Sequence, residues 1–152
     1  MKKVFATAQM SNSIIFTFCN NKIMYDFTWY QSLTKPPLAP PAWLFSPVWI
    51  ILYITLAISL ILYSIKYTEK KKSWGYILFF TQLLVNLAWT PAFFGVKNIA
   101  LALALIILLD ILVVFTIFEF KKVSKTASRI LIPYLIWILY ATYLNFSYLI
   151  LN

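Results

Sequence analysis

The sequence has no His, one Cys (Cys19), two Gly and four acidic residues in 152. Each absence removes a class of function. Without His, and with a single Cys, a protein-built zinc site has too few ligands and a disulfide framework has no second thiol. Two Gly cannot supply a Gly-rich phosphate loop. A Ser-His, Cys-His or His-based acid-base centre is excluded with the His. Charge is also scarce: 11% of residues are Asp, Glu, Lys or Arg, against about 25% in a soluble domain. What replaces charge is 62% hydrophobic residues, with 19% aromatic. A soluble core of this length cannot hide so much apolar surface, because small domains leave much of their surface in water. The composition therefore excludes a soluble monomer and a disordered tail, and indicates an all-α integral membrane protein.

A bilayer core of about 30 Å takes about 20 apolar residues in a helix. Four stretches meet this: 43–65, 74–94, 99–118 and 130–151. A fifth, at 4–19, is interrupted by Gln9, Ser11, Asn12 and Ser13. It reads either as a cleaved signal peptide behind Lys2 and Lys3 or as a retained polar helix packed on protein. A signal peptide needs a continuous apolar run of 7–15 residues, so the interruption favours a retained helix. The expectation is one membrane domain, 1–152, built as a five-helix bundle.

The net charge of +9 has a direction. With five spans, one side holds Lys2, Lys3, Lys66, Lys70, Lys71, Lys72, Lys121, Lys122, Lys125 and Arg129, and the other holds Lys22, Lys35 and Lys97. Basic loops stay in the cytoplasm, so the N-terminus is expected inside and the C-terminus outside. The charge then reads as topology and contact with anionic headgroups, with no nucleic-acid partner. The outer connection 20–42 is rich in aromatics and Pro. Such a segment is expected to form an ordered lid over the outer helix ends, or, for Trp29 and Tyr30, part of an interfacial aromatic belt.

Inside the spans, polar residues are few and patterned. Gln82, Asn86, Trp89 and Phe93 follow i, i+4, i+7, i+11 on one helix face. Trp49 and Tyr53 share a face, as do Tyr134, Trp137, Ala141, Asn145 and Tyr148. Amides are costly to expose to lipid, so Gln82, Asn86 and Asn145 should face inward and take Trp49, Trp89 and Trp137 with them. The stripes allow two readings, an ordinary aromatic core or a chamber for a flat apolar ligand. Pro91 is expected to kink its helix. Asp110 is the one acid deep in a span. It should pair with a polar group on another helix or across an oligomer, or else serve transport. Ala88/Ala92 and Ala100/Ala104 are small-x-x-x-small candidates for a dimer contact.

Three segments resemble the TspO family, also called tryptophan-rich sensory protein, translocator protein or peripheral benzodiazepine receptor. Lys35-Pro-Pro-Leu-Ala-Pro-Pro-Ala-Trp-Leu-Phe-Ser-Pro-Val-Trp49 with Tyr53 is similar to K-P-x-W-x-P-P-x-W-x-F-x-P-V-W-x-x-L-Y. Asn86 to Gly95 resembles N-x-x-W-x-x-x-F-F-G, and Pro133 to Asn145 resembles P-Y-x-x-W-x-x-x-A-x-x-L-N. Trp29-Tyr30 matches the W-Y of the first loop. The likeness covers about 26–152. Leu38 stands where the family usually has Trp, and Ser46 where Gly is frequent. The basic residue that completes a proposed sterol motif after Leu144 and Tyr148 is missing, which puts sterol recognition in doubt.

The resemblance implies a five-helix bundle, commonly a homodimer, that binds porphyrins such as protoporphyrin IX and haem and benzodiazepine-type ligands, with no required cofactor. By position it implies Trp29, Tyr30, Pro40, Trp49, Tyr53, Asn86, Trp89, Phe93, Trp137 and Ala141 as ligand-binding residues. Some family members are reported to degrade protoporphyrin in light. Trp49 and Trp137 would then be the catalytic pair, as indoles able to donate an electron to an excited porphyrin. Receptor, light- and oxygen-dependent enzyme, and porphyrin or lipid transporter are the alternatives. Without His, a tetrapyrrole would be held by stacking and shape, and iron ligation would fall to Tyr, Met, Cys19 or nothing.

Overall fold

The computed structural model describes residues 27–66 and 73–152. These form helices and no strand: α1 (Phe27–Ser32), α2 (Ala42–Ile65), α3 (Ser73–Thr90), α4 (Ile99–Val123), α5 (Lys125–Ile130) and α6 (Ile132–Leu151). A π-helical turn, Pro91–Gly95, continues α3. Four apolar segments are long enough to cross a membrane: Trp43–Ile65, Trp74–Gly95, Ile99–Val123 and Lys125–Leu151. The protein is thus all-helical with four candidate spans among the described residues. The expected first span at 4–19, and the residues 20–26 and 67–72, lie outside them.

The ends of the helices follow local chemistry. Pro41 starts α2 in an extended conformation, where a missing N–H costs nothing. Asn98 caps α4 by accepting from Leu101 N at 2.9 Å. The expected basic loop at 119–129 is mostly helix. α4 runs on to Val123, with Lys121 and Lys122 in its last turn, where cations meet the negative end of the helix dipole. Lys122 also pairs with Glu119. Ser124 then breaks the helix and caps α5, accepting from Ala127 N at 3.3 Å. Long basic side chains can reach headgroups from a helix that ends at the interface, so charge alone does not mark a loop.

Pro91 does more than kink α3. With no N–H to give, and with its ring against the preceding turn, it opens the wider turn in which Val96 N bonds Pro91 O at 2.9 Å. The chain then reverses through Lys97, the one non-Gly residue at positive φ among those described (φ 57).

Helix α4 packs against α3 and α6, while α2 joins through α5 and α6. The basic end is filled by rings. Tyr63 stacks on Phe120 at 4.0 Å and 11°, and meets Tyr76 edge-on at 5.2 Å. Ser59 Oγ, fully buried on α2, donates to Ala127 O of α5 at 2.8 Å. Residues such as Ile54, Ile61, Leu84 and Phe115 face outward, which fits a lipid-facing surface rather than an aqueous one.

Gly75 is where α3 comes close to the Tyr63 ring. A Cβ there would lie 2.2 Å from Tyr63 Oη and 2.6 Å from Cζ. The ring cannot easily retreat, because Phe120 and Tyr76 hold its face and edge. Gly75→Ala is therefore expected to lower stability in detergent micelles by about 1–3 kcal/mol, the usual cost of overpacking. An unchanged unfolding midpoint would show that the Tyr63 ring has room to move.

Candidate functional site

The spans are tied together inside by neutral hydrogen bonds. Gln82 and Asn86, one turn apart on α3, are 1% and 5% exposed. Both bond the fully buried Tyr134 of α6. Tyr134 Oη donates to Gln82 Oε1 at 3.0 Å and accepts from Asn86 Nδ2 at 3.0 Å. Asn86 Oδ1 accepts from Tyr53 Oη of α2 at 2.9 Å. The chain Tyr53–Asn86–Tyr134–Gln82 is consistent in its donors and acceptors from end to end, and joins α2, α3 and α6.

A second junction lies nearer the Pro91 turn. Oriented to satisfy both neighbours, the Asn145 amide accepts from Trp89 Nε1 at 3.1 Å and donates to Ile99 O at 3.1 Å. It joins α3, α4 and α6. The three amides thus face inward, as their cost in lipid requires.

The structure divides the expected site residues between two aromatic groups. The first holds Trp49, Tyr53, Asn86 and Trp137. Trp49 lies 5.7 Å from Tyr53 at 30°, and Trp137 has Phe45 at 6.0 Å and Tyr140 at 5.6 Å. Both Trp rings are half-buried and pack on the core that contains Tyr134 and Ile138. Tyr53 remains 38% exposed, so its ring has a free side even though its hydroxyl is engaged. Trp137 Nε1 is buried without an acceptor among the described residues.

The second group holds Trp29, Tyr30, Trp89 and Phe93. Phe93 is buried at its centre, stacked on Trp89 at 5.2 Å and 18°. Trp29 meets it edge-on at 5.7 Å and Phe94 at 4.9 Å. Tyr30 Oη lies 3.1 Å from Tyr148 Oη. Trp89 packs with this group, while Trp49 and Trp137 pack on the other core; Phe45 and Tyr140, the ring neighbours of Trp137, pack against the same cluster as Trp89. Pro40 and Ala141 are half-buried.

Asp110 pairs across helices. Its Oδ2 accepts from Thr142 Oγ1 of α6 at 2.7 Å, while Oδ1 is buried without a partner among the described residues. Sequence reasoning did not single out Thr142, since a Thr in a span carries no signal of its own. It also missed Tyr134 as the partner of both α3 amides, although Tyr134 lies on the Trp137 stripe, and Tyr140, which lies off the stripe beside Trp137. Among the described residues no three of His, Cys, Asp and Glu come together. A depression of about 190 Å³ lined by Pro36, Pro37, Ser147, Ile150 and Leu151 is small beside the roughly 300–1,000 Å³ of ligand pockets.

Tyr134→Phe would leave Gln82 Oε1 and Asn86 Nδ2 without their partner in a place water cannot reach. The expected loss is about 1–2 kcal/mol, the upper range for cross-helix bonds in bilayers, read as reversible unfolding in bicelles. Tyr53→Phe removes one bond at a half-open position and should cost less. Equal effects would mean that the buried network is not the stronger tie.

The TspO/MBR family pattern matches residues 5–151. The chain is 42% identical over 125 residues to the tryptophan-rich protein TspO of Chlorobaculum tepidum, covering 82% of this chain and 79% of that one. It is 43% identical to the TspO protein of Archaeoglobus fulgidus, over 82% and 80%. It is 34% identical to the human translocator protein, over 78% and 71%. With helices long and apolar enough to cross a membrane, and with a match that runs nearly end to end, the chain belongs to the TspO/MBR family of membrane proteins.

Proposed function

We propose that this chain is a membrane receptor or sensor for flat hydrophobic ligands, porphyrins such as protoporphyrin IX and haem first among them, and benzodiazepine-type molecules with them. The ligand would lie against Trp49, Tyr53 and Trp137. The observation that carries this reading is the pairing of open aromatic faces with a closed, neutral hydrogen-bond network behind them. Tyr53 keeps a free side while its hydroxyl is held by Asn86. A flat ring system gains by stacking there, and the wall behind it is fixed. The unsatisfied Trp137 N–H costs about 1–3 kcal/mol as a buried orphan, and a ligand acceptor would relieve it. Among the relatives is one named tryptophan-rich sensory protein, and a sensory role in this chain would need a bound ligand.

The proposed orientation puts the end with Lys66, Lys121, Lys122, Lys125 and Arg129 in the cytoplasm, following the basic-residue rule. A homodimer is proposed through α4, where Ala100 and Ala104 are both exposed. Ala92 is buried within its own chain, so Ala88/Ala92 cannot serve as a paired surface. A Cys at position 104 in a Cys19→Ser background should crosslink in membranes, and a Cys at position 92 should not. The reverse pattern would move the interface to α3.

Titration with protoporphyrin IX should quench Trp fluorescence and saturate. Trp49→Ala and Trp137→Ala should each weaken binding by roughly five- to tenfold, the scale of a lost stacking contact of about 1–1.5 kcal/mol. If both variants bind like wild type, the site lies elsewhere. Illuminating the same samples separates binding from photochemistry. A defined product that depends on both Trp residues would add a catalytic role, whereas equal bleaching in all samples would leave a receptor.

A further inference from the structure

The outer segment is fastened to α6 at three positions. Tyr148 meets Tyr30 through their hydroxyls at 3.1 Å. The Asn152 amide accepts from Thr34 N at 2.8 Å and donates back to Thr34 O at 3.3 Å. Tyr140 Oη donates to Leu38 O at 2.7 Å. The third tie differs from the others in what its ring touches. The Tyr140 ring lies 5.6 Å from the Trp137 ring, and Trp137 lies 6.0 Å from Phe45. Leu38 and Phe45 bracket the entry to α2, and both reach Trp137, one through Tyr140 and one directly.

The stretch between them is stiff. Pro36, Pro37, Pro40 and Pro41 fix φ and remove N–H donors. Ala39 N closes a turn onto Pro36 O at 3.0 Å. A segment with so few rotatable bonds and donors moves as a piece and must be gripped by its carbonyls. The Leu38 side chain is exposed, so the grip at this point is the backbone bond to Tyr140.

We propose that Tyr140 is a positioning residue for the ligand site: its hydroxyl holds the proline segment closed beside Trp137 and so sets the rate of ligand entry and exit. The proposal rests on the reading that Trp137 faces ligand. Tyr140 acts through the segment, with its ring as packing and its hydroxyl as the clasp. Tyr140→Phe separates the two, since it keeps the ring on Trp137 and removes the clasp.

Two measurements on the full-length protein in nanodiscs test it. In ligand-free Tyr140→Phe, amide exchange at Ala39, whose N–H closes the turn onto Pro36 O, should rise roughly two- to tenfold, the factor that one hydrogen bond of about 0.5–1.5 kcal/mol is worth. Association and dissociation rates for protoporphyrin IX should rise together, with Kd within about threefold of wild type; Trp137→Ala should instead weaken Kd. Unchanged exchange would overturn the clasp whether or not porphyrin binds. Faster exchange with unchanged ligand rates would overturn the gating role. Absence of porphyrin binding by wild type would sink the functional reading and the gating role with it, while the exchange result would still decide the clasp.

Discussion

In a bilayer every buried polar group must find its partner within the protein. That constraint organises this molecule. It has few polar side chains inside its spans; Thr55, Thr116 and Ser147 bond carbonyls of their own helices, and the amides make joints between helices. Tyr134 closes one joint with Gln82 and Asn86, and Asn86 extends it to Tyr53. Asn145 closes another with Trp89 and Ile99. Apolar contact alone cannot fix the rotation of a helix among lipid tails that are equally apolar. Directed bonds can, and they also fix which aromatic faces are left over.

Helix α6 supplies a partner at most of these joints. Tyr134, Thr142 and Asn145 tie it to α3 and α4. Tyr140, Tyr148 and Asn152 tie it to the 30–38 segment. The result is one helix that carries Trp137 of the candidate site and also holds the 30–38 segment. The proposed clasp and the proposed ligand wall therefore share a support, with Tyr140 in contact with both Leu38 and Trp137.

Much of this was legible in the residues. Apolar runs located the four described spans, because the length of a bilayer crossing is fixed by thickness. The amide stripe Gln82–Asn86–Trp89–Phe93 correctly named an inward face, because lipid penalises amides. Helical period fails at a particular point, however. It says which residues share a face, but not which neighbouring helix that face meets, nor at what height. Trp89 and Trp137 both face inward, yet one meets Phe93 and the other Phe45. Thr142 and Tyr140 were illegible for the same reason, since their partners Asp110 and Leu38 are distant in sequence. The helix α5 was hidden by its charges, which read as a loop until Ser124 is seen to cap it.

The division of the aromatics sharpens which of them can meet a ligand. Phe93 is enclosed by Trp29, Trp89, Phe94 and Tyr148. Rings packed on one another in this way have already buried the faces a ligand would use, and prising them apart would forfeit contacts worth about 0.5–1.5 kcal/mol per pair beyond the buried area. Tyr53 differs in being 38% exposed, and Trp137 in having a buried donor without an acceptor among the described residues. A flat ring placed on Tyr53 would therefore displace fewer ring contacts than one placed on Phe93. The second group seats α1 against Phe93 and Tyr148, so the segment held by Tyr140 is anchored at one end by α1 and at the other by the start of α2.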